Sequence, residues 1–318
     1  MAGPEQVLEA AGPRAGELMV ETERRLAELV SCHPDPIGPY ARQAVAGGGK
    51  RLRPLLAIVC AGVDPPDGEA VIRAAAAVEL IHAATLVHDD ILDNAELRRG
   101  APTVAAAGGR EMAVAVGDLL FAVAFGELVG NGVESVEVLA AAGSDLAKGE
   151  LLQRADAWDT TVSRERCMLR SKLKTARLFE AAARLGAMAG GLDPDPPERF
   201  AGAVGVAFQL LDDVLDVTGP SERTGKPRGA DLLDGTVTLP WILAAGRDAG
   251  LLEVDLRALD RPAAEALCDR IEATGALDEV RGIADGLVAE ALASAAAIGG
   301  SSAGVLALVA RAMVERVS

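Results

Sequence analysis

Apolar residues recur at helical spacing along almost the whole chain, and this periodicity restricts the possible folds more than any other feature. The strongest segments are 68–93, 111–130, 134–157, 163–190, 198–217 and 262–298. Aromatic residues make up only 3% of the 318 residues, and the predominance of Ala, Leu and Val favours close-packed helices over sheets. No β-hairpin signal stands out between these segments. The sequence therefore predicts an all-α fold, a large bundle of helices.

Turn sequences rich in proline and glycine separate the helical segments at 63–69, 98–103, 190–198 and 218–231. None of them resembles an interdomain linker, so we expect residues 1–318 to form a single domain. The span 291–310 is uncharged, but Gly and Ser residues at 299–302 interrupt it, whereas a membrane span is more apolar and unbroken. We predict two buried helices joined by a turn there, and no transmembrane segment.

The overall charge and the cysteines exclude several classes of function. The chain has 47 acidic and 31 basic residues, a formal net charge of −16, whereas nucleic-acid binding requires a basic face. The four cysteines, at positions 32, 60, 167 and 268, have no paired spacing, which argues against a zinc site and a disulfide framework and fits a reducing cytosol. Residues 1–10 lack the basic and apolar regions of a signal peptide. We therefore predict a cytoplasmic protein that does not bind nucleic acid.

Two apolar helical segments carry the same acidic pattern, DDxxD. The aspartates are Asp89, Asp90 and Asp93 in "LVHDDILDN" (86–94), and Asp212, Asp213 and Asp216 in "QLLDDVLDVTG" (209–219). On a helix, positions i and i+4 share a face, so each segment presents two carboxylates one turn apart. A single copy is better explained by a solvated acidic face near a helix end, but clustered carboxylates among apolar residues repel each other and are costly to desolvate. Because Mg²⁺ binds one or two carboxylates plus substrate phosphates, two facing copies predict several Mg²⁺ ions around one polyphosphate.

Clusters of basic residues could supply the positive charge that a polyphosphate requires. The candidates are Lys50, Arg51 and Arg53 in "GGGKRLRP" (47–54), Arg98 and Arg99 in "ELRRGAPT" (96–103), Lys174 in "SKLKTARLF" (171–179) and Lys226 in "TGKPRGAD" (224–231). A glycine-rich turn with exposed N–H groups and cations favours anions, and the planar fork of arginine bonds two phosphate oxygens at once. Each lysine alone is also compatible with a solvated surface. His82 is compatible with a core histidine or with donation to a phosphate, and we expect His88 to be structural.

Six motifs occur in the same order as in the trans-type isoprenyl diphosphate synthase (polyprenyl synthetase) family, which the chain resembles from about Gly47 to Pro240. The motifs are "GGGKRLRP", "ELIHAATLVHDDILDNAELRRGAPT", "GDLLFA" (117–122), "KTARLF" (174–179), "FQLLDDVLDVTG" (208–219) and "GKPRGADLLDGTVTLP" (225–240). The resemblance implies a bundle of helices around a central cavity, usually in a homodimer. It also implies a Mg²⁺-dependent reaction that condenses isopentenyl diphosphate with an allylic diphosphate.

The resemblance implies a role for each matching residue. Metal and allylic-diphosphate binding would fall to Asp89, Asp90, Asp93, Asp212, Asp213 and Asp216. Direct contacts to that diphosphate would come from Arg98, Lys174 and Lys226. Isopentenyl diphosphate would be bound by Lys50, Arg53, His82 and Arg99, and the site would be lined or supported by Thr175, Gln209 and Asp231. One departure is Thr236, where family members often have lysine, so this position lacks the cation of one expected diphosphate contact.

The helix that carries Asp89 also suggests the length of the product. The product tail is expected to extend back along this helix, past Thr85, Ala84 and Ile81, where no aromatic side chain blocks the path. Short-chain relatives often place Phe or Tyr one turn before the motif. We therefore expect a product longer than farnesyl diphosphate, with Phe121 and Phe125 of the following helix as a possible floor.

Two other functions remain open at this point. A class I terpene cyclase also ionises a diphosphate with Mg²⁺, but such cyclases usually replace the second DDxxD with an Asn/Ser/Glu motif and use aromatic residues to stabilise cations. A subunit of a heteromeric synthase is the second alternative, although such subunits tend to lose the aspartates, all of which are present here.

Overall fold

Helices account for most of the residues that the structure describes, and the all-α prediction is confirmed. The computed structural model describes residues 4–46, 49, 51–219, 228–298 and 300–314. Its helices are α1 (Pro4–Ala11), α2 (Pro13–Ser31), α3 (Ile37–Ala46), α4 (Leu52–Cys60), α5 (Gly68–Leu92), α6 (Val104–Gly108), α7 (Arg110–Leu128), α8 (Val133–Ala155), α9 (Arg164–Ser171), α10 (Arg177–Ala189), α11 (Asp195–Thr218), α12 (Ala230–Leu233), α13 (Leu239–Ala245), α14 (Arg261–Ala273), α15 (Ala276–Ile298) and α16 (Gly300–Val314).

Short elements complete this framework. Single 3₁₀ turns lie at Val129–Asn131, Ala249–Glu253 and Leu256–Ala258, and a π-helical turn, Lys172–Ala176, joins α9 to α10 without a break. Two strands, β1 (Leu97–Arg98) and β2 (Ala101–Pro102), form a small antiparallel hairpin. This hairpin was missed in the sequence, where no β-hairpin signal stood out, because its strands are only two residues long.

Helix α5 lies at the centre of the first hydrophobic core. Its N-terminus is capped by Asp67, whose Oδ1 accepts from the Ala70 N–H at 3.0 Å. It is apolar on nearly every face, as expected for a helix enclosed by others, and it packs against α2, α4, α7 and α10. This enclosure fixes the position of its C-terminal end, where the first DDxxD lies.

Helix α11 contributes to both hydrophobic cores. Its N-terminal half, from Phe200 to Val204, packs in the α5 core, whereas residues from Val206 to Val217 pack in a second core with α13, α14 and α15. The most extensive interface is between α11 and α15. The second DDxxD is thus held at the end of a helix that is anchored along its whole length.

The predicted helix boundaries differ from the observed ones at two places that have identifiable causes. The predicted helix 163–190 contains the π-helical turn, and the predicted helix 262–298 is divided into α14 and α15 at Gly275, which has a φ of 72°. The turn predicted over 299–302 is not observed at residues 300–302, which already belong to α16, and Gly299 lies outside the described residues. Helices α15 and α16 both bury apolar residues in the first core, as predicted.

Two helical stretches, Gly68–Leu92 and Arg110–Asn131, are apolar and long enough to cross a membrane by length and composition alone. In the first, 78% of the apolar window is buried inside the protein, as expected for a core helix. In the second stretch only 39% of the apolar window is buried, so part of the apolar surface of α7 is accessible to solvent in the single chain.

Candidate active site

The first aspartate cluster lies at the C-terminal end of α5. Asp90 is buried, with 4% of its surface exposed, and accepts a hydrogen bond from Arg98 Nε at 2.8 Å. The pKa of Asp89 is raised to about 6, chiefly by burial and also by the nearby carboxylates of Glu150 and Asp93, although Lys174 and Arg98 oppose the shift. Asp93 is exposed and contacts Arg154. Asp93 is therefore the exposed member of the cluster, Asp89 is half-buried, and Asp90 faces the protein.

The β-hairpin places two arginines beside this cluster. Its turn residues, Arg99 and Gly100, have φ values of 53° and 79°. A two-residue type I′ turn requires a positive φ at both of these positions. The turn directs Arg98 back to Asp90. The backbone of Gly49 approaches Arg99 so closely that an added Cβ would lie 2.9 Å from Arg99 Nη1. The glycine-rich segment and the "ELRRGAPT" segment thus meet, as the resemblance predicted.

The second aspartate cluster repeats the arrangement of the first near the C-terminal end of α11. Asp213, like Asp90, has 4% of its surface exposed, and it accepts a hydrogen bond from Gln209 Nε2 at 2.8 Å. Burial raises its pKa well above the usual range, and the carboxylate of Asp231 raises it further. Asp216 Oδ2 accepts from the backbone N–H of Asp231 at 3.3 Å. In both clusters, therefore, the second aspartate is bonded within the protein.

The π-helical turn between α9 and α10 connects the two clusters. Lys174 lies close enough to Asp89 to lower its pKa. The next residue, Thr175, donates its hydroxyl to Gln209 Oε1 at 2.7 Å, and the same amide donates to Asp213. Consecutive side chains of one turn thus reach the first and the second cluster. A π-helical turn of this kind is frequent at functional sites, because it rotates side chains out of the regular helical register.

Basic side chains gather around His82 at the same end of the bundle. Burial lowers the pKa of His82 well below its usual range, and the positive charges of Arg53, Arg99, Arg98 and Arg51 lower it further. Burial likewise lowers the pKa of Arg53 to about 10, although Glu79 opposes the shift. This cluster combines two predicted segments that are remote in sequence, and it is suited to a multivalent anion.

Two arginines of this cluster, Arg51 and Arg53, are held by different kinds of contact. The Arg51 side chain is bonded to Glu23 Oε1 and Glu79 Oε1, both at 2.6 Å, and to Val45 O at 2.9 Å, so it anchors the end of the glycine-rich segment. Arg53 instead lies over the Phe179 ring, 4.4 Å from its centroid, and Phe179 contacts Phe208 edge-on with centroids 6.2 Å apart. Because Phe208 precedes Gln209, this stack connects the basic cluster to the second aspartate cluster.

The predicted chain-length residues lie in the wall between α5 and α7. Ala84 and Ile81 are fully buried, and the Thr85 hydroxyl donates to His82 O at 2.8 Å. Phe121 stacks on His88 with ring centroids 5.9 Å apart, which agrees with a structural role for His88. Phe125 is partly buried against the same core.

Some predicted residues cannot be placed. Lys50 and Lys226 lie outside the described residues, so their predicted contacts stay predictions. Thr236 is described, and its backbone N–H donates to Asp231 O at 2.7 Å. In the part of the chain that the structure describes, no group of three or more His, Cys, Asp or Glu side chains is arranged to hold an ion without other ligands.

Two residues of α8 beside the first cluster were not predicted. Glu150 accepts from Arg154 Nε at 2.9 Å through one carboxylate oxygen and lies 2.6 Å from Lys174 Nζ through the other, and Arg154 contacts Asp93. Burial would raise the pKa of Glu150, but Lys174 and Arg154 outweigh it, and the pKa is lowered. In sequence, Glu150 and Arg154 form an i,i+4 pair, which is typical of any exposed helix and gives no functional signal.

Comparison with known proteins agrees with this geometry. The family model described as "Polyprenyl synthetase" matches residues 36–262. The chain belongs to the polyprenyl synthetase family. Among its members, "Heptaprenyl diphosphate synthase component 2" of Geobacillus stearothermophilus is 38% identical over 71% of this chain and 72% of its own length. "Nonaprenyl diphosphate synthase" of Mycobacterium tuberculosis is 37% identical over 79% and 75%.

A solved structure of this family matches almost the whole chain. The polyprenyl synthase from Caulobacter crescentus, complexed with calcium and isoprenyl diphosphate, superposes with a TM-score of 0.89 at 33% identity, covering 98% of both chains. The all-α isoprenoid synthase fold predicted from the sequence is therefore confirmed, and so is the family.

Proposed function

We propose that this polyprenyl synthetase condenses isopentenyl diphosphate with an allylic diphosphate, head to tail and in the trans configuration, in a Mg²⁺-dependent reaction. The observation that carries the proposal is the π-helical turn, from which Lys174 reaches the first aspartate cluster and Thr175 reaches the second through Gln209. Two acidic clusters and one basic cluster thus share one end of the bundle. This arrangement supports one site for two diphosphates.

The aspartates fit Mg²⁺ by the chemistry of their donor atoms. Mg²⁺ prefers oxygen ligands and usually combines one or two carboxylates with water and substrate phosphates, so a complete protein cage is not needed. Asp89 on α5 and Asp93 just after it, with Asp212 and Asp216 on α11, would hold the ions, while Asp90 and Asp213 would support these ligands from inside. When bound, Mg²⁺ stabilises the negative charge that develops on a leaving diphosphate.

The protein's own cations would stabilise the same charge. Lys174 and Arg98, with Lys226, would donate to the allylic diphosphate while its C–O bond breaks, because preorganised donors are most effective where charge develops. Thr175 and Gln209, which are hydrogen-bonded to each other at 2.7 Å beside the second aspartate cluster, would line this part of the site. The apolar side chains around α5 would exclude the water that would otherwise quench the cation.

The basic cluster around His82 would bind isopentenyl diphosphate. Arg53 and Arg99, with Lys50, provide the charge, and His82 is neutral because burial and the surrounding arginines lower its pKa. A neutral imidazole can donate one hydrogen bond to a phosphate oxygen. The double bond of this substrate would then attack the allylic cation, and a proton would be lost to the departed diphosphate.

The product is proposed to be longer than farnesyl diphosphate. Ala84, Thr85 and Ile81 leave no aromatic side chain in the first turns of α5 before Asp89, and Phe121 and Phe125 lie farther along the wall. Relatives whose names specify heptaprenyl and nonaprenyl products support this proposal. The length itself depends on where the growing tail meets a bulky side chain.

We further propose that the enzyme is a cytoplasmic homodimer in which the whole chain forms one catalytic unit. The exposed faces of α7 and α8 support this proposal. Ala115, Ala122 and Gly126 are exposed at helical spacing on α7, Asp118 lies among them, and Val129 continues the row just after the helix. On α8, Val133 and Leu151 are 75% and 69% exposed. A mostly small and apolar face that extends over two adjacent helices is suited to a second copy of the chain.

One experiment tests the reaction. The purified protein is incubated with Mg²⁺, radiolabelled isopentenyl diphosphate and, separately, geranyl, farnesyl and geranylgeranyl diphosphate, and the dephosphorylated products are sized by chromatography. We expect isopentenyl diphosphate to be consumed and a product longer than farnesol. Release of diphosphate and a hydrocarbon without isopentenyl diphosphate would instead indicate a terpene cyclase. Activity that appears only with a second protein would indicate a subunit of a heteromeric synthase.

A further inference from the structure

Arg154 lies at the entrance to the first aspartate cluster but belongs to none of the family motifs in the sequence. Its Nη2 contacts Asp93 Oδ1, and its Nε donates to Glu150 Oε1 at 2.9 Å. The side chain is 39% exposed and extends from α8, whereas Asp93 follows the last turn of α5. A cation from a neighbouring helix therefore occupies one of the carboxylates proposed to bind metal.

Glu150 positions this cation together with a second one. Its other oxygen, Oε2, lies 2.6 Å from Lys174 Nζ, and only 13% of the Glu150 side chain is exposed. Lys174 in turn lies near Asp89. One mostly buried carboxylate thus aligns one cation with the half-buried Asp89 and another with the exposed Asp93. In space, a chain of contacts runs from Asp89 to Asp93 and alternates in charge. Between these two carboxylates lie Lys174, Glu150 and Arg154, in that order.

We propose that Arg154 is a built-in counter-ion of the metal site. It neutralises Asp93 in the structure, and when a diphosphate is bound together with Mg²⁺ it would donate to the diphosphate oxygens instead of to Asp93. Arg154 would thereby compete with a metal ion that binds alone and favour metal that is bound together with substrate. This inference rests on the proposed function, because it assumes that Asp93 binds metal.

Two binding measurements that need no prenyl transfer test the proposal. The first is a calorimetric titration with Mn²⁺ alone, and the second measures binding of inorganic pyrophosphate at saturating Mg²⁺. In Arg154→Gln we expect Mn²⁺ alone to bind about 2- to 5-fold more tightly, the range expected from an exposed ion pair. We expect pyrophosphate to bind about 10-fold more weakly, because one charge-assisted hydrogen bond is lost. Arg154→Lys keeps the charge and should lie between Arg154→Gln and the unmodified protein in both measurements.

Arg24→Gln is the matched control. Arg24 lies on α2, pairs with Glu28 at i,i+4, and is remote from the aspartates in sequence and on another helix, so the variant removes the same charge without touching the site. Both variants should show the helical circular dichroism of the unmodified protein. If either affinity in Arg154→Gln equals that of Arg24→Gln, the proposal is overturned. Absence of product from isopentenyl diphosphate in the unmodified protein would instead overturn the proposed reaction, which these titrations do not measure.

Discussion

At the scale of single residues, His82 shows how the site should respond to pH. Its pKa in the folded protein is lowered by burial and by Arg53, Arg99, Arg98 and Arg51. The unfolded chain therefore binds a proton at higher pH than the folded protein does. The stability associated with neutral His82 is complete above pH about 6.5 and is lost as the pH falls below that value.

We predict that His82→Gln removes this part of the pH dependence. Between pH 7.5 and 5.5, the free energy of unfolding of the unmodified protein should fall relative to that of the variant, with a slope of up to about 1.4 kcal/mol per pH unit. Urea unfolding at three pH values measures the difference. Inorganic pyrophosphate should reduce the slope, because it offsets the arginine charges. Parallel curves for the two proteins would contradict the prediction.

A second prediction at this scale concerns product length. Ala84 is fully buried one turn before the first aspartate cluster, so Ala84→Phe should block the path of the tail and shorten the product by at least one isoprene unit. The larger side chain should also destabilise the fold by about 1–3 kcal/mol, so the assay temperature must lie below the measured Tm. Ala84→Ser, which adds only one oxygen, serves as the control. An unchanged product distribution in Ala84→Phe would place the tail elsewhere.

The residues that sequence alone identified were those with an unusual pattern. Two copies of DDxxD within apolar helices indicated a shared chemical role, and the structure connects them through the turn at Lys174 and Thr175. Glu150 and Arg154 could not be identified, because an i,i+4 ion pair occurs on many solvated helices. Their significance depends on where α8 packs relative to the end of α5, which is a tertiary property.

At the scale of elements, the contact between α8 and the π-helical turn can be tested directly. An added Cβ at Gly149 would lie 2.8 Å from the backbone nitrogen of Lys174, whereas one at Gly143 on the same helix meets its nearest atom at 3.9 Å. We predict that Gly149→Ala displaces the turn, destabilises the protein by about 1–3 kcal/mol and lowers kcat by about 10- to 100-fold. Gly143→Ala should have little effect on either quantity.

Thermal unfolding and steady-state kinetics measure both effects. The kinetic loss is the informative one, because displacement of the turn moves Lys174 and Thr175 away from the two aspartate clusters. A Gly149→Ala variant that is less stable but retains the kcat of Gly143→Ala would show that the position of this turn does not control catalysis.

Helix boundaries were predictable where the apolar helical pattern ended next to a turn sequence rich in proline or glycine. The predicted helix 68–93 is observed as Gly68–Leu92, and 198–217 as Asp195–Thr218. The π-helical turn was not predictable, since its apolar positions remain compatible with a continuous α-helix. The division at Gly275 was missed because a single glycine also occurs within helices.

At the scale of the whole molecule, the exposed face of α7 and α8 should control the oligomeric state. We predict that Ala122→Arg, which places a charge in the centre of this face, converts the dimer into a monomer at micromolar concentration. Size-exclusion chromatography coupled to light scattering measures the molar mass of each protein in solution. Ala293→Arg, at an exposed position of α15, is the control and should remain dimeric. A monomeric unmodified protein would contradict the proposed homodimer.

The fold class followed from helical periodicity, and the arrangement of the helices did not. Periodicity determines which face of each helix is apolar, but not which other helix covers that face. The division into two cores joined by α11 therefore became visible only in three dimensions. The site lies where these cores meet, since α5 belongs to the first core and the second half of α11 to the other.

The π-helical turn also has a consequence for how related sequences can diverge. Before the turn, Cys167 packs in the second core, and after it Leu178 and Phe179 pack in the first. The continuous helix from α9 to α10 therefore packs in one core before the π-helical turn and in the other core after it. The additional residue of the π-helical turn determines which side chains face each core. Along α9, the π-helical turn and α10, evolution should tolerate point substitutions more readily than insertions or deletions. An inserted or deleted residue would rotate every later side chain of the helix away from its present packing partner.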